Sequence, residues 1–87
     1  MLKLVQTALA LRSEHMRCRE LAEALRQETS WINQEATAHQ LQTHLNIWRD
    51  LLGEYDRLSN NYAYDSPDEV YILHNLNKMV DDYRHAR

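Results

Sequence analysis

The chain has 87 residues and a net charge of −3, which allows one domain with a small core. No segment is strongly basic, so the sequence gives no sign of a nucleic-acid-binding surface. No apolar stretch reaches the length of a membrane-spanning helix, and the single cysteine cannot form an internal disulfide. We therefore expect a cytoplasmic protein that binds neither nucleic acid nor membrane.

The composition predicts an all-α fold. The chain has one Gly and one Pro, and neither occurs between Leu2 and Leu52. Leu, Ala, Glu, Gln and Arg are abundant, and these residues lose little side-chain freedom in a helix. We expect a helical hairpin or three-helix bundle with two long helices and a shorter C-terminal helix. A dimer is expected because a chain this short buries little surface alone.

The first predicted helix covers about residues 2–28. Apolar and small side chains recur along it at alternating steps of four and three, the spacing of a coiled-coil heptad. We call this row the first seam: Leu4, Ala8, Leu11, His15, Cys18, Ala22, Leu25, Thr29, Ile32 and Ala36. One edge of the seam is mostly small, which allows another helix to approach closely. After Ala36 the same steps reach only polar residues.

This change of pattern predicts a break near residues 28–31, within the stretch from Glu28 to Asn33. Thr29 or Ser30 is expected to cap the next helix, because a hydroxyl can accept hydrogen bonds from first-turn amides. The alternative is one unbroken helix through this stretch, which would need a coiled-coil partner to cover its apolar stripe.

The second predicted helix covers about residues 31–58 and buries a bulkier, more aromatic row. We call this row the second seam: Leu41, Leu45, Trp48, Leu52, Tyr55, Ser59 and Tyr62. Leu51 and Leu58 lie beside this row and widen it. Residues 59–66 are predicted to form a loop, because Asn and Asp side chains compete with helical hydrogen bonds.

The third predicted helix covers about residues 67–84. Ser66 is the expected N-cap, Pro67 occupies the first helical position, and Glu69 completes a capping box. Arg84 lies near the C-terminal end of this helix, where its positive charge interacts favourably with the negative end of the helix dipole.

Residues that could support catalysis or metal binding do not form a recognisable set. His15 and Cys18 share a helix face, but a structural zinc site needs four ligands. The carboxylates alternate with arginines, as in Glu23 and Arg26, which is typical of solvent-exposed pairs. With a single Gly, a phosphate-binding loop is not expected. We therefore predict no catalytic residues, no metal and no cofactor.

An alternative to a protein without catalytic activity is a small all-helical enzyme, and two classes of such enzymes resemble the fold predicted for this chain. The segment Leu9-Ala10-Leu11-Arg12 is similar to the first helix of chorismate mutases, but no Lys lies between Lys3 and Lys78 to serve as their central lysine. Nucleotide pyrophosphohydrolases use closely paired glutamates that this chain lacks. The enzyme alternative predicts a cleft in which charged groups converge, and Arg12, Arg26 and Arg49 lining one pocket would favour it.

The functional prediction is a non-enzymatic protein-binding module: an adaptor, a secretion-type chaperone, or an inhibitor or regulator of a larger protein. Small secretion chaperones and phage-encoded inhibitors have a similar size, acidity and composition. A coiled-coil assembly unit is a further alternative. Aromatic side chains are frequent at interface hot spots. The predicted partner-binding residues are therefore Trp31, Tyr62, Tyr64, Trp48 and Tyr55, although the last two also lie on the second seam, where burial is expected.

Overall fold

A computed structural model describes residues 2–62 and 67–85 of the chain. They form three helices: α1 (Leu2–Gln27), α2 (Trp31–Asn60) and α3 (Pro67–His85). The described residues contain no strand, which confirms the all-α prediction. α1 packs against both α2 and α3. None of the described helices has the length and apolarity needed to cross a membrane.

The chain turns between α1 and α2 at residues 28–30, which confirms the predicted break and excludes a single unbroken helix. Ser30 occupies the N-cap position of α2, but its side chain makes no capping hydrogen bond. A carboxylate oxygen of Glu28 instead accepts the backbone N–H groups of Thr29 and Ser30, each at 3.1 Å. The predicted hydroxyl cap is therefore wrong, and the Glu28 carboxylate organises the two residues before the helix rather than its first turn.

The end of α2 also differs from the prediction. The helix continues to Asn60, so the first two residues of the predicted loop are helical. The backbone N–H of Asn61 donates to the Arg57 carbonyl at 3.2 Å and thereby continues the helical hydrogen bonding. Ser66, the predicted N-cap of α3, lies outside the described residues. α3 begins at Pro67 as expected, with Asp68 and Glu69 in its first turn.

The buried core lies at one end of an elongated molecule. The described chain measures 54 × 17 × 17 Å and has a radius of gyration of 15.8 Å, whereas a compact chain of this length would have about 12 Å. Six buried apolar residues from all three helices form one cluster: Leu4, Ala8, Leu11, Tyr55, Leu73 and Val80. Several half-buried side chains of the second seam, including Trp48 and Leu52, pack against it.

The length of α3 explains this asymmetry. Because α2 has 30 residues and α3 has 19, α2 is roughly 45 Å long and α3 only roughly 28 Å. We call residues 2–15, 44–60 and 67–85 the closed half, and residues 16–27 and 31–43 the open half. Among the described residues, only Leu21 is buried in the open half.

Candidate functional site

A groove lies between α1 and α2 where α3 ends, at the junction of the closed and open halves. We call it the open groove. Its lining comes from α1, α2 and the last turns of α3: His15, Cys18, Arg19, Ala22, Leu41, Leu45, Trp48 and Tyr83. Its volume of about 430 Å³ lies within the range of about 300–1,000 Å³ that binding pockets usually have.

Tyr83 closes one end of the open groove. Its ring stacks on the imidazole of His15 with a centroid distance of 4.8 Å and an interplanar angle of 27°. Burial, together with the positive charge of Arg19, lowers the pKa of His15 below its usual value. The imidazole is therefore mainly neutral at neutral pH, so it stacks without bringing a second positive charge beside Arg19.

Cys18 lies half-buried in the open groove, and its surroundings suppress thiol chemistry. Burial raises the pKa of the Cys18 thiol, and the negative charge of Glu14 raises it further. The thiol therefore stays protonated near neutral pH, whereas the thiolate is the reactive form. Within residues 2–62 and 67–85, no group of three His, Cys, Asp or Glu side chains is placed to hold a metal ion.

A polar contact ties α1 to α2 at the edge of the closed half. His44 Nδ1 lies 2.7 Å from a carboxylate oxygen of Glu14, and both side chains are half-buried. Among the described residues, Glu14 makes this contact to His44 and no ion pair to Arg19 of the open groove. It also fixes the relative positions of the two helices beside the groove.

Two aromatic side chains of α2, one heptad apart, have different surroundings. Tyr55 is 1 % exposed, and its hydroxyl donates to Asn77 Oδ1 of α3 at 2.6 Å. In this conformation its side chain is not available to another protein. Trp48 lines the open groove, and its buried Nε1–H has no acceptor among the described residues. A buried donor without an acceptor costs about 1–3 kcal/mol.

The other predicted contact residues are spread over the molecule. Trp31 begins α2 at the tip of the hairpin and is 70 % exposed, with the exposed Ile32 beside it. Tyr62 is half-buried and packs against the core cluster at the opposite end. Tyr64 lies outside the described residues. The structure therefore does not bring the four predicted residues that it describes together into one site.

Sequence reasoning missed most of the open groove. Leu41 and Leu45 belong to the second seam, and the sequence treated them as core positions. Ala22 belongs to the small edge of the first seam, and that edge was the signal that a helix could approach α1 closely there. The sequence predicted that the third helix is shorter than the second, but it contained no signal for where that helix would lie along the hairpin.

Arg12, Arg26 and Arg49 do not converge on this site, since none of them lines the open groove. Comparison of the chain with known protein families, with curated proteins and with solved structures gives no match.

Proposed function

We propose that this protein is a protein-binding module that accepts a helix of another protein in its open groove. The observation that carries the proposal is that α3 fills only part of the surface between α1 and α2. Beyond Tyr83 the groove continues without a third helix, and it is lined mainly by apolar side chains such as Leu41 and Leu45. An adaptor, a chaperone or an inhibitor could each use such a groove.

The closed half supports this proposal, because there a helix already occupies the corresponding surface. α3 inserts Leu73 and Val80 into the cluster formed with α1 and α2. A bound helix in the open half would continue the same three-helix arrangement. The open half of α1, residues 16–27, would lie against about 18 Å of that helix, which corresponds to about three turns.

The tip of the hairpin adds a second apolar contact region. Trp31 and Ile32 are exposed by 70 % and 63 %, although both side chains are large and apolar. Tryptophan is enriched among the residues that dominate binding energy at interfaces. A partner helix that leaves the open groove toward the tip would reach these side chains.

The expected homodimer is a separate proposal on another surface. Leu2, Leu9 and Met16 follow one another at seven-residue steps on α1, and each is more than half exposed. A stripe of this kind can pair with itself across a two-fold axis. Sedimentation equilibrium would show a dimer for the native chain and a monomer for Leu9→Glu, while an unchanged mass would count against this surface.

A pair of variants on α2 tests the docking proposal. Leu45 lines the open groove and Ile47 does not, yet the two isomeric side chains are exposed to nearly the same extent, 37 % and 40 %. Leu45→Asp and Ile47→Asp therefore introduce the same charge at similar cost to the fold. Circular dichroism of both variants should match that of the native chain.

The measurement is affinity capture from a lysate of the source organism, followed by isothermal titration with each protein recovered. We expect one stoichiometric partner that binds the native chain and Ile47→Asp with similar affinity and binds Leu45→Asp at least roughly tenfold more weakly. Equal binding to both variants would move the interface away from the open groove. If the native chain recovers no protein, the binding-module proposal fails.

A further inference from the structure

Two hydrogen-bond donors at the open groove and one on its α2 flank have no acceptor among the described residues. Arg19 lines the groove, and no ion pair joins it to any described residue. Trp48 Nε1–H is buried and unpaired within the described chain. Its exposed neighbour on α2, Arg49, likewise has no ion pair with the residues that the structure describes. The side chains that line the groove include no carboxylate.

The carboxylates nearest to Arg19 along α1 are already engaged by other side chains. Glu20 accepts from Arg17 at 3.4 Å. Glu23, one turn after Arg19, accepts from both Arg26 and Gln27 instead. Glu14 on the other side contacts His44. Arg19 is exposed and none of these carboxylates pairs with it, so its positive charge is open to a group from outside the described chain.

The closed half shows what a docked helix supplies at the corresponding positions. On α2, Tyr55 donates its buried hydroxyl to Asn77 of α3. The next residue, Asp56, accepts two hydrogen bonds from Arg84 of α3, at 2.8 and 3.2 Å. The docked helix thus provides an acceptor for the aromatic donor and an opposite charge for the flanking residue.

One heptad closer to the hairpin tip, α2 repeats this arrangement with the charge reversed. Trp48 stands seven residues before Tyr55 and is again an aromatic donor. Arg49 stands seven residues before Asp56 and is positive rather than negative. The described part of α3 reaches His85, one residue after Arg84, so none of its described residues lies a further heptad along to supply partners there.

We infer that the helix bound in the open groove is acidic: it presents Asp or Glu side chains on the flanks of an apolar stripe, where they meet Arg19 and Arg49. The Nε1–H of Trp48 is buried in the unbound chain, so the indole turns toward the groove when the helix binds, and a carboxylate or amide oxygen of the same helix then accepts this N–H. This inference rests on the proposed function and specifies the partner as an amphipathic helix of another protein. A basic helix would place like charges beside Arg19, which is unfavourable.

A phage-displayed library tests this chemistry before the partner is identified. Peptides of roughly 16 residues on an alanine-rich helical backbone would carry randomised positions along one face and its two flanks. Selection on the intact native chain, with sequencing of the bound pool, identifies the preferred residues. We expect enrichment of Leu, Ile or Met at helical spacing together with Asp or Glu at the flanking positions.

Charge variants then locate the acidic contacts. The enriched peptide should bind Arg19→Glu and Arg49→Glu roughly tenfold more weakly than the native chain. Arg12→Glu is the matched control, because Arg12 lies one heptad before Arg19 on α1 and in the closed half, where α3 rather than a bound helix packs against α1. It should leave peptide affinity within about twofold. The peptide's Glu→Gln analogue should lose affinity for the native chain and respond less to added salt.

The indole N–H of Trp48 gives an independent readout in a ¹⁵N-correlated NMR spectrum. Only Trp31 shares this spectral region, and Trp31→Phe assigns the two signals. A new hydrogen bond to Trp48 Nε1–H should shift its proton resonance downfield when the peptide binds. No movement of this resonance on saturation with an enriched peptide would overturn the predicted hydrogen bond.

The possible failures can be told apart. Peptides that require Leu45 but show no acidic preference, or that bind Arg19→Glu as well as the native chain, would overturn the acidic-helix inference and leave the proposed function standing. A pool in which no peptide distinguishes Leu45→Asp from Ile47→Asp would overturn the proposed function itself. Selection of basic flanks, or of sequences matching this chain's own helices, would also reject an acidic helix of another protein as the occupant.

Discussion

The closed and open halves of the molecule are built from the same two helices but differ in burial. In the closed half, α1 and α2 form a core with Leu73 and Val80 of α3. In the open half, which continues the same helices, only Leu21 is buried among the described residues. The difference shows that the heptad pattern brings two helices together, whereas a third helix is needed to remove their side chains from water.

Equivalent positions on the first seam make this comparison quantitative. Leu11 and Leu25 are two heptads apart on α1, as are Ala8 and Ala22. Leu11 and Ala8 are fully buried in the closed half, whereas Leu25 and Ala22 are half-buried in the open half. Substitutions at these paired sites should therefore have effects of different size or different sign.

The largest expected effect is that of Leu11→Ala, which would leave a cavity in the core cluster. We expect it to lower the free energy of unfolding by about 3–4 kcal/mol, against about 1 kcal/mol for Leu25→Ala. Chemical denaturation followed by circular dichroism measures both. Equal losses would mean that the open half is as well covered as the closed half, as it would be in a stable dimer through that surface.

A pair of enlarging substitutions should change stability in opposite directions. Ala8→Leu overpacks a fully buried site and should lower the free energy of unfolding by about 1–3 kcal/mol. Ala22→Leu extends into the open groove, where there is room, and should leave stability unchanged or raise it by up to about 1 kcal/mol. Thermal unfolding of the two variants provides the comparison, and strong destabilisation by Ala22→Leu would contradict an unoccupied groove.

The hydroxyl of Tyr55 links α2 to α3 through a hydrogen bond. Loss of this hydrogen bond should lower the free energy of unfolding by an intermediate amount. Tyr55→Phe keeps the ring in the core but removes the donor to Asn77, at a cost of about 1 kcal/mol. Asn77→Ala should cost a similar amount, and the double variant should cost less than the sum of the two. Fully additive losses in urea denaturation would show that this hydrogen bond does not couple the helices.

Tyr55 also makes the closed half sensitive to alkaline pH. Burial, followed by the charges of Asp56 and Asp81, raises the pKa of Tyr55 to about 12 from an ordinary value of 10.0. The folded state therefore holds the hydroxyl proton more tightly than the unfolded state. The resulting stabilisation is complete below pH 10 and is lost as the pH rises through about 12. Ultraviolet titration should show one late-ionising tyrosine that is missing in Tyr55→Phe.

The smallest expected effects are those of the ion pairs. Asp56 and Arg84 join α2 to α3 through two hydrogen bonds, and a double-mutant cycle should give a coupling of about 0.5–1 kcal/mol. Glu23 and Arg26 form a solvent-exposed pair on α1 in the open half, and their coupling should be smaller than that of Asp56 and Arg84, because water screens an exposed pair. Both couplings should shrink in high salt, and a larger value for the second pair would reverse the comparison.

Much of the secondary structure could be predicted because its signals are local. The absence of Gly and Pro before Leu52 predicted the long helices, and Pro67 marked the start of the third. The turn at residues 28–30 was placed by the change of seam. Ser30 does occupy the N-cap position, but the predicted hydrogen bond of its hydroxyl was wrong, because the residue type does not determine the side-chain conformation that the bond needs.

The candidate site could be predicted only in part. Aromatic content singled out Trp31, which is exposed at the tip of the hairpin, and Trp48, which lines the open groove. The same criterion also selected Tyr55, which is buried. Periodicity assigns a residue to a face of its helix, but it does not state whether another helix covers that face.

The sequence by itself determined that the chain forms three helices with a break after the first, because helix formation depends on neighbouring residues. Only the tertiary structure decided where α3 lies along the hairpin, and therefore that Tyr55 finds an acceptor while Trp48 does not. That outcome depends on contacts between residues far apart in the chain, such as Asp56 with Arg84 and His15 with Tyr83. The length of α3 relative to α2 then separates a covered core from an open groove.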